Sequence, residues 1–138
     1  MIVLDTNVLS ALMRQAPEAA VVAWLDKQPR TSVWTTSITV FEIRFGLQML
    51  PAGKRRNALS AAFEELLRRI NQQVIPFDAG AAGLAAERMA LRHKRGKPVE
   101  LRDTMIAGIV LTHNATLATG NTVHFEDLST PIVNPWTA

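Results

Sequence analysis

The chain begins with MIVLDTNVLSALM, residues 1–13, in which a short apolar run passes directly into a helical pattern. The letters IVLD predict a strand, and VLSALM predicts a helix because its apolar residues recur at helical spacing. Between the two patterns lie Asp5, Thr6 and Asn7. Each of these side chains is a common helix N-cap, so the tripeptide taken alone is better explained as a cap than as a functional site.

The rest of the chain continues this alternation of strand and helix. Further strands are predicted at SVWTTS (32–37), QVIPF (73–77), ATLAT (115–119) and TPIVNP (130–135). Helices are predicted at 17–28, 38–50, 54–70, 78–95 and 103–114, with a short helix or turn at 121–128. Short apolar strands separated by helices predict an α/β fold, a three-layer α/β/α sandwich with a central, mainly parallel sheet of about five strands. At 138 residues, we expect one domain, residues 1–138.

Composition limits the chemistry that the chain can perform. The absence of cysteine excludes disulfides, thiolate metal sites and cysteine catalysis. No secretion signal or membrane-spanning run is recognisable, so we expect a cytoplasmic protein without membrane contact. Fifteen Lys and Arg against twelve Asp and Glu give a net charge of +3, which weakly favours a polyanionic partner such as nucleic acid.

Polar residues follow two of the predicted strands, where parallel sheets bind their ligands. Asp5 follows the first strand, and residues 119–121 follow the fourth. Glu42 shares a helix face with apolar residues, where an unpaired carboxylate is costly. Asp103 is predicted to open a helix and to lie at the margin of the core. Taken singly, each acid is explained at least as well by a cap, an exposed position or an ion pair, but together these residues could converge.

Five segments in combination resemble the PIN-domain ribonucleases, specifically the VapC-type toxins of bacterial toxin–antitoxin pairs. The resemblance runs the whole chain, and the segments that carry it are MIVLDTNVLS (1–10), TTSITVFEIRFGL (35–47), RDTMIAG (102–108), ATGNTVHFEDL (118–128) and PIVNPW (131–136). It implies a metal-dependent endoribonuclease with site residues Asp5, Glu42, Asp103 and Asn121. This chain departs from the family pattern at two positions: the fourth site residue is Asn121 rather than Asp, and relatives often carry an arginine where this chain has Gly120.

The residue types fit that chemistry. Carboxylate oxygens without sulfur suit Mg²⁺, with Mn²⁺ as an alternative. We expect Asp5 and Asp103 to contact the metal directly, and Glu42 and Asn121 to bind it through water. The side chains expected to orient these groups are Thr6, Asn7 and Thr119. Because Asn121 contributes no charge, a second ion should bind weakly, and the choice between one ion and two stays open.

The resemblance also implies an RNA substrate, either transfer RNA or ribosomal RNA. Among the basic clusters, RHKRGK (92–97) is favoured for RNA binding, through Arg92, Lys94, Arg95 and Lys97. The alternative is that these cations complement the dipole at a helix C-terminus. The histidines are scattered without ligand spacing and are assigned no role; they are His93, His113 and His124.

Relatives typically form homodimers and are inhibited by a small DNA-binding antitoxin, which lays a segment in an apolar groove. Helical residues that could line such a groove are Met13, Trp24, Phe45 and Leu50. The main rival function is a catalytically weak or inactive PIN-like module that only binds RNA, since Gly120 and Asn121 could mark eroded chemistry. An aspartyl-phosphate phosphatase is disfavoured because Asn7 stands where it would need a second carboxylate.

Overall fold

The computed structural model describes all 138 residues and contains five strands and six α-helices in the predicted order. The strands are β1 (Ile2–Leu4), β2 (Val33–Thr36), β3 (Val74–Ile75), β4 (Thr116–Ala118) and β5 (Ile132–Val133). The helices are α1 (Thr6–Met13), α2 (Ala19–Asp26), α3 (Ser37–Met49), α4 (Lys54–Arg69), α5 (Ala79–Lys94) and α6 (Leu101–Thr112). Short 3₁₀ turns lie at Arg30–Ser32 and Thr122–His124. None of the helices combines the length and apolar character needed to cross a membrane.

The sheet has the order β3-β2-β1-β4-β5, and every neighbouring pair is parallel. From β1 the chain builds outward through β2 to β3, and then returns to the other side of β1 to add β4 and β5. The strand order therefore reverses between β1 and β4. In open α/β sheets this reversal leaves a crevice beyond the carboxyl ends of the two strands, where ligands bind.

Helices cover both faces of the sheet. Alternation along β1 sends Leu4 into a core shared with α1 to α4, and sends Val3 into a second core shared with α5 and α6. Ala118 and Leu117 repeat this division on β4. The predicted three-layer α/β/α architecture is confirmed.

The start of α6 differs from the prediction. The helix begins at Leu101 rather than at Asp103, because the Glu100 side chain is the N-cap and accepts from the backbone N–H groups of Arg102 (2.9 Å) and Asp103 (3.3 Å). Asp103 therefore occupies the third helical position and is not the residue that opens the helix. It still lies in the first turn, where the helix dipole favours a negative charge.

Candidate active site

Asp5 combines the two roles that its sequence position left open. It follows β1 and caps α1, with Oδ1 accepting from the backbone N–H of Thr6 at 2.8 Å. Its Oδ2 accepts from the Thr119 hydroxyl at 2.7 Å and from the Asn7 amide at 3.1 Å. Only 2% of the residue is exposed. The cap and its partners therefore hold this carboxylate in one orientation at the end of the strand.

Asn7 and Thr119 also fasten the loop after β4 to the end of β1. The side-chain oxygen Oδ1 of Asn7 accepts from the backbone N–H of Gly120 at 2.9 Å, and the Thr119 hydroxyl oxygen accepts from the backbone N–H of Asn121 at 3.0 Å. The backbone of Asn121 is thus fixed beside Asp5. The Asn121 side chain is exposed and makes no hydrogen bond within the chain.

Glu42 reaches the same region from α3. Its Oε1 accepts from the Thr6 hydroxyl at 2.9 Å, and its Oε2 lies 3.7 Å from Nη1 of Arg102 on α6. The side chain is half-buried rather than exposed on a polar face. The Thr6 hydroxyl and the Arg102 guanidinium therefore offset the cost of placing the Glu42 carboxylate on a largely apolar helix face.

Asp103 lines the same cavity from the first turn of α6. Its Oδ2 is 2.9 Å from Nδ1 of His124, at the end of the 3₁₀ turn after β4. The prediction that assigned no role to His124 missed this contact. Nothing in the spacing of the three histidines indicates it, because the pair forms only when the 3₁₀ turn and α6 come together.

The four predicted site residues line one cavity of about 370 Å³ at the reversal between β1 and β4. Ser10 and Arg14 of α1 and Trp136 near the C-terminus complete its wall. The full lining is Asp5, Thr6, Asn7, Ser10, Arg14, Glu42, Asp103, Asn121 and Trp136.

The pKa values of the three carboxylates in the cavity are raised, so the site disfavours having all three ionised at once. Burial raises the pKa of Asp5, against the lowering effect of its hydrogen bonds, and the charge of Asp103 raises it further. Burial likewise raises the pKa of Glu42 and that of Asp103, in spite of the hydrogen bonds from Thr6 and His124. A nearby cation reverses this preference, because it stabilises the ionised forms.

The donor set fits a hydrated hard cation. It consists of carboxylate oxygens and one amide, the ligand types that Mg²⁺ and Mn²⁺ prefer. No group of three or more His, Cys, Asp or Glu residues is arranged to hold a metal ion. Mg²⁺ does not need such a cage, because it binds through one or two carboxylates and keeps several of its waters.

Comparison with known proteins identifies the family. Residues 2–130 match the PIN domain. The chain belongs to the PIN-domain family.

It is 42% identical to "VapC ribonuclease Y4jK" of Sinorhizobium fredii over 137 residues, which cover 99% of this chain and 98% of that protein. It is 36% identical to "Toxin FitB" of Neisseria gonorrhoeae over 99% of both chains. The crystal structure of FitAcB from Neisseria gonorrhoeae superposes with a TM-score of 0.89, at 35% identity over 100% of both chains. The VapC-type resemblance is confirmed.

In this PIN domain, Gly120 is explained by its contact with Trp136. A Cβ on Gly120 would lie 2.9 Å from Cζ3 of the indole, closer than side chains tolerate. The Trp136 ring also packs against the core on the side of α1 to α4. The absence of a side chain at position 120 is therefore matched to the tryptophan that lines the cavity.

Arg92 does not belong to the basic surface of the PIN domain. Its guanidinium is bidentate to Asp127, with Nε and Nη2 at 2.9 and 2.8 Å, and Nη1 donates to the Thr104 hydroxyl at 3.1 Å. Only 4% of the side chain is exposed. The prediction that Arg92 contacts RNA is wrong because its donors are used inside the fold. The other three cations of the cluster are exposed, namely Lys94, Arg95 and Lys97.

An apolar cleft of about 280 Å³ adjoins the cavity lined by the predicted site residues. It runs between α1, α3 and α4, and two of the four residues predicted to line a groove, Met13 and Leu50, are part of it. Trp24 belongs to the core with 8% exposure, so its assignment to the groove is wrong. Phe45 is 52% exposed but lies outside the cleft, where it stacks on Phe41.

Proposed function

We propose that this protein is a Mg²⁺-dependent endoribonuclease that acts as the toxin of a type II toxin–antitoxin pair. The observation that carries the proposal is the convergence of Asp5, Glu42, Asp103 and Asn121 on one cavity at the sheet reversal. Membership of the PIN-domain family and the VapC ribonuclease among the relatives support the reaction class. The products are the two RNA fragments left by hydrolysis of a phosphodiester bond.

The ion is proposed to be Mg²⁺, with Mn²⁺ as a substitute. Asp5 and Asp103 would hold it directly, and Glu42 and Asn121 would hold it through its waters. When bound, it supplies Lewis-acid stabilisation of phosphate charge and acidifies the attacking water.

The side chains supply orientation and a proton acceptor. Asp5 is held by its cap and by Thr119 and Asn7, so its free lone pairs keep one direction during the reaction. Glu42 has one oxygen held by Thr6, and burial raises its pKa, which makes it a better proton acceptor than an exposed carboxylate. We therefore assign to Glu42 the alignment of the attacking water and acceptance of its proton.

The exposed cations Lys94, Arg95 and Lys97 are proposed to contact the RNA backbone. Arg95 and Lys97 line a cavity of about 330 Å³ that also includes His124, the partner of Asp103. Cations at this place would hold phosphates beside the acids. We propose transfer RNA as the substrate, on the strength of the VapC resemblance, with ribosomal RNA as the other candidate. Contacts of this type should make binding strongly dependent on salt.

The partner is proposed to be a small DNA-binding antitoxin. A neighbouring structure shows FitAB bound to a DNA fragment, at 36% identity and a TM-score of 0.88. The cleft containing Met13 and Leu50 opens beside Glu42 and Thr6, so a segment laid in it would end at the acids. The homodimer stays a prediction, and the exposed stripe of Phe41, Phe45 and Met49 on α3 is available for it.

A catalytically weak PIN-like module is the second candidate. The uncharged and unbonded side chain of Asn121 favours it, because the cavity has one carboxylate fewer than it would with an acid there. This candidate predicts RNA binding without cleavage. It is separated from the first by an assay that measures cut ends rather than binding.

The experiment is to incubate the purified protein with total RNA and map cleaved ends. We expect cleavage with Mg²⁺ or Mn²⁺, none with a chelator, and none from Asp103→Asn. The matched control is Asp26→Asn, the same chemical change at an exposed carboxylate on α2 that pairs only with Arg69. Cleavage by Asp103→Asn at the parent rate would show that the site is wrong, and binding without cleavage by the parent would favour the inactive module.

A further inference from the structure

The Asp103 carboxylate has a single hydrogen bond within the chain, to His124. The distance from Oδ2 to Nδ1 is 2.9 Å, between residues 21 apart in sequence. The His124 side chain is 44% exposed, so burial alone does not hold the ring. Asp5, by contrast, accepts hydrogen bonds from three neighbours. The orientation of Asp103 therefore depends on one histidine.

The backbone of that histidine is anchored by Arg92. Nη2 of Arg92 donates to the backbone carbonyl of His124 at 3.2 Å, while the same guanidinium forms a bidentate salt bridge with Asp127. Its Nη1 donates to Thr104, the residue after Asp103 on α6. One buried guanidinium thus fixes both the segment that carries His124 and the helical turn that carries Asp103. Its fixed fork of donors makes this three-way contact possible.

We infer that His124 is a positioning residue for Asp103. This inference rests on the proposed function, because it concerns an acid that we propose to bind the metal. The ring donates its Nδ1–H to Oδ2 and leaves Oδ1 of Asp103, a residue that lines the cavity, without a hydrogen bond in the chain. A carboxylate acceptor selects the tautomer with the proton on Nδ1. Hydrogen bonds of this kind, from a neighbour to a ligating group, commonly set the affinity for the metal.

The alternative is a structural pair without influence on the site. The His124 side chain is 44% exposed, so a purely structural role predicts only a small change in stability, and none in metal affinity, when the ring is removed. The positioning role predicts a selective loss of metal affinity with an unchanged fold. It also predicts rescue by a side chain that keeps a donor where Nδ1 stands.

The first test is Mn²⁺ affinity by calorimetry in three variants. His124→Ala removes the donor, His124→Asn keeps an N–H group near the position of Nδ1, and His124→Gln places it near Nε2. We expect Mn²⁺ to bind about 10-fold more weakly in the Ala and Gln variants, and within about threefold of the parent in the Asn variant. The matched control is His93→Ala, at an exposed histidine on α5. Parent affinity in His124→Ala, or equal losses in His124→Asn and His124→Ala, would overturn the inference.

The second test is independent of the nuclease reaction. ¹⁵N NMR of the metal-free protein reports which ring nitrogen of His124 carries the proton. We expect Nδ1–H in the parent and loss of that preference in Asp103→Ala. Protonation on Nε2 in the parent would contradict the positioning role whatever the RNA assay shows. An Nδ1–H ring and weakened Mn²⁺ binding in His124→Ala, without RNA cleavage by the parent, would instead refute the ribonuclease and leave the positioning role standing.

Discussion

Asp5 and Asn121 lie beyond the carboxyl ends of neighbouring parallel strands, yet the fold treats them differently. Asp5 is buried, caps α1 and accepts hydrogen bonds from Thr6, Thr119 and Asn7. Asn121 is exposed, and only its backbone is held. Both line the same cavity. The two positions are therefore not equivalent, although both lie at the same edge of the sheet. The Asp5 side chain is held in one orientation, and the Asn121 side chain is free to rotate.

Preorganisation matters because a charged group that is already oriented spends no free energy on reorganisation during the reaction. Asp5 meets this condition through three neighbours, and Asp103 meets it through His124 and the turn of α6. Asn121 brings only a neutral amide whose orientation is not fixed. We therefore expect the catalytic contribution to fall sharply from Asp5 to Asn121.

The largest expected difference between Asp5 and Asn121 is in the rate of RNA cleavage. We expect Asp5→Asn to lower the RNA cleavage rate on the order of 10³-fold, because it removes a buried charge that the proposed metal requires. Asn121→Ala should lower it by no more than about 10-fold, since a water can replace an amide that binds indirectly. Rates on one defined RNA at fixed Mg²⁺, with circular dichroism to verify folding, make the measurement. Equal losses in the two variants would contradict the difference between the positions.

The sequence was sufficient for the sheet and its helices, because those elements depend on local apolar patterns. The transition from β1 to α1 at Asp5 and the strand before Asn121 were both visible as patterns. Starting α6 at Asp103 was wrong because the acid that caps the helix, Glu100, lies three residues earlier and accepts from the backbone N–H of Asp103 itself. An acid directly before the first residue of an apolar helix is a capping signal that could have been used.

The prediction for Arg92 failed for a different reason. It stands in a run of cations, and the run as a whole is a plausible RNA surface. Helical spacing could have separated it from its neighbours, because it lies on the α5 face that buries Ala81 and Ala85. Its partner Asp127 could not have been predicted, since the contact depends on how the loop after β4 packs against α5. The same is true of His124 and Asp103.

A negative charge at position 121 should increase the affinity for a divalent cation. We expect Asn121→Asp to tighten Mn²⁺ binding about 10-fold, because it adds a fourth carboxylate to Asp5, Glu42 and Asp103 beside the cation. The gain should appear in calorimetry of the metal-free protein, with Asn121→Ala as the matched variant of unchanged charge. Unchanged or weaker Mn²⁺ binding in the Asp variant would contradict a position for residue 121 beside the ion.

The smallest effect is the pH dependence of stability without metal. The pKa values of Asp5 and Asp103 are raised above their ordinary value of 3.8, mainly by burial, so the folded protein binds their protons more tightly than the unfolded chain does. Their contribution to stability is therefore present at low pH and is lost as pH rises from about 4 through the raised values.

Asp103→Asn removes one of these groups. In a chelator, we expect the melting temperature of this variant, relative to the parent, to increase as pH rises toward neutrality, and Mg²⁺ to cancel the advantage. Thermal unfolding of both proteins across that pH range makes the measurement. A difference that stays constant with pH would contradict the raised pKa of Asp103.

The most direct test of the central claim, that Asp5 and Asp103 form a site for a divalent cation, is a Mn²⁺ titration of the parent and of Asp5→Asn. We expect saturable binding to the parent, binding weakened by at least about 10-fold in Asp5→Asn, and parent affinity in the control Asp26→Asn. Undiminished Mn²⁺ affinity in a folded Asp5→Asn protein would refute the proposed cation site.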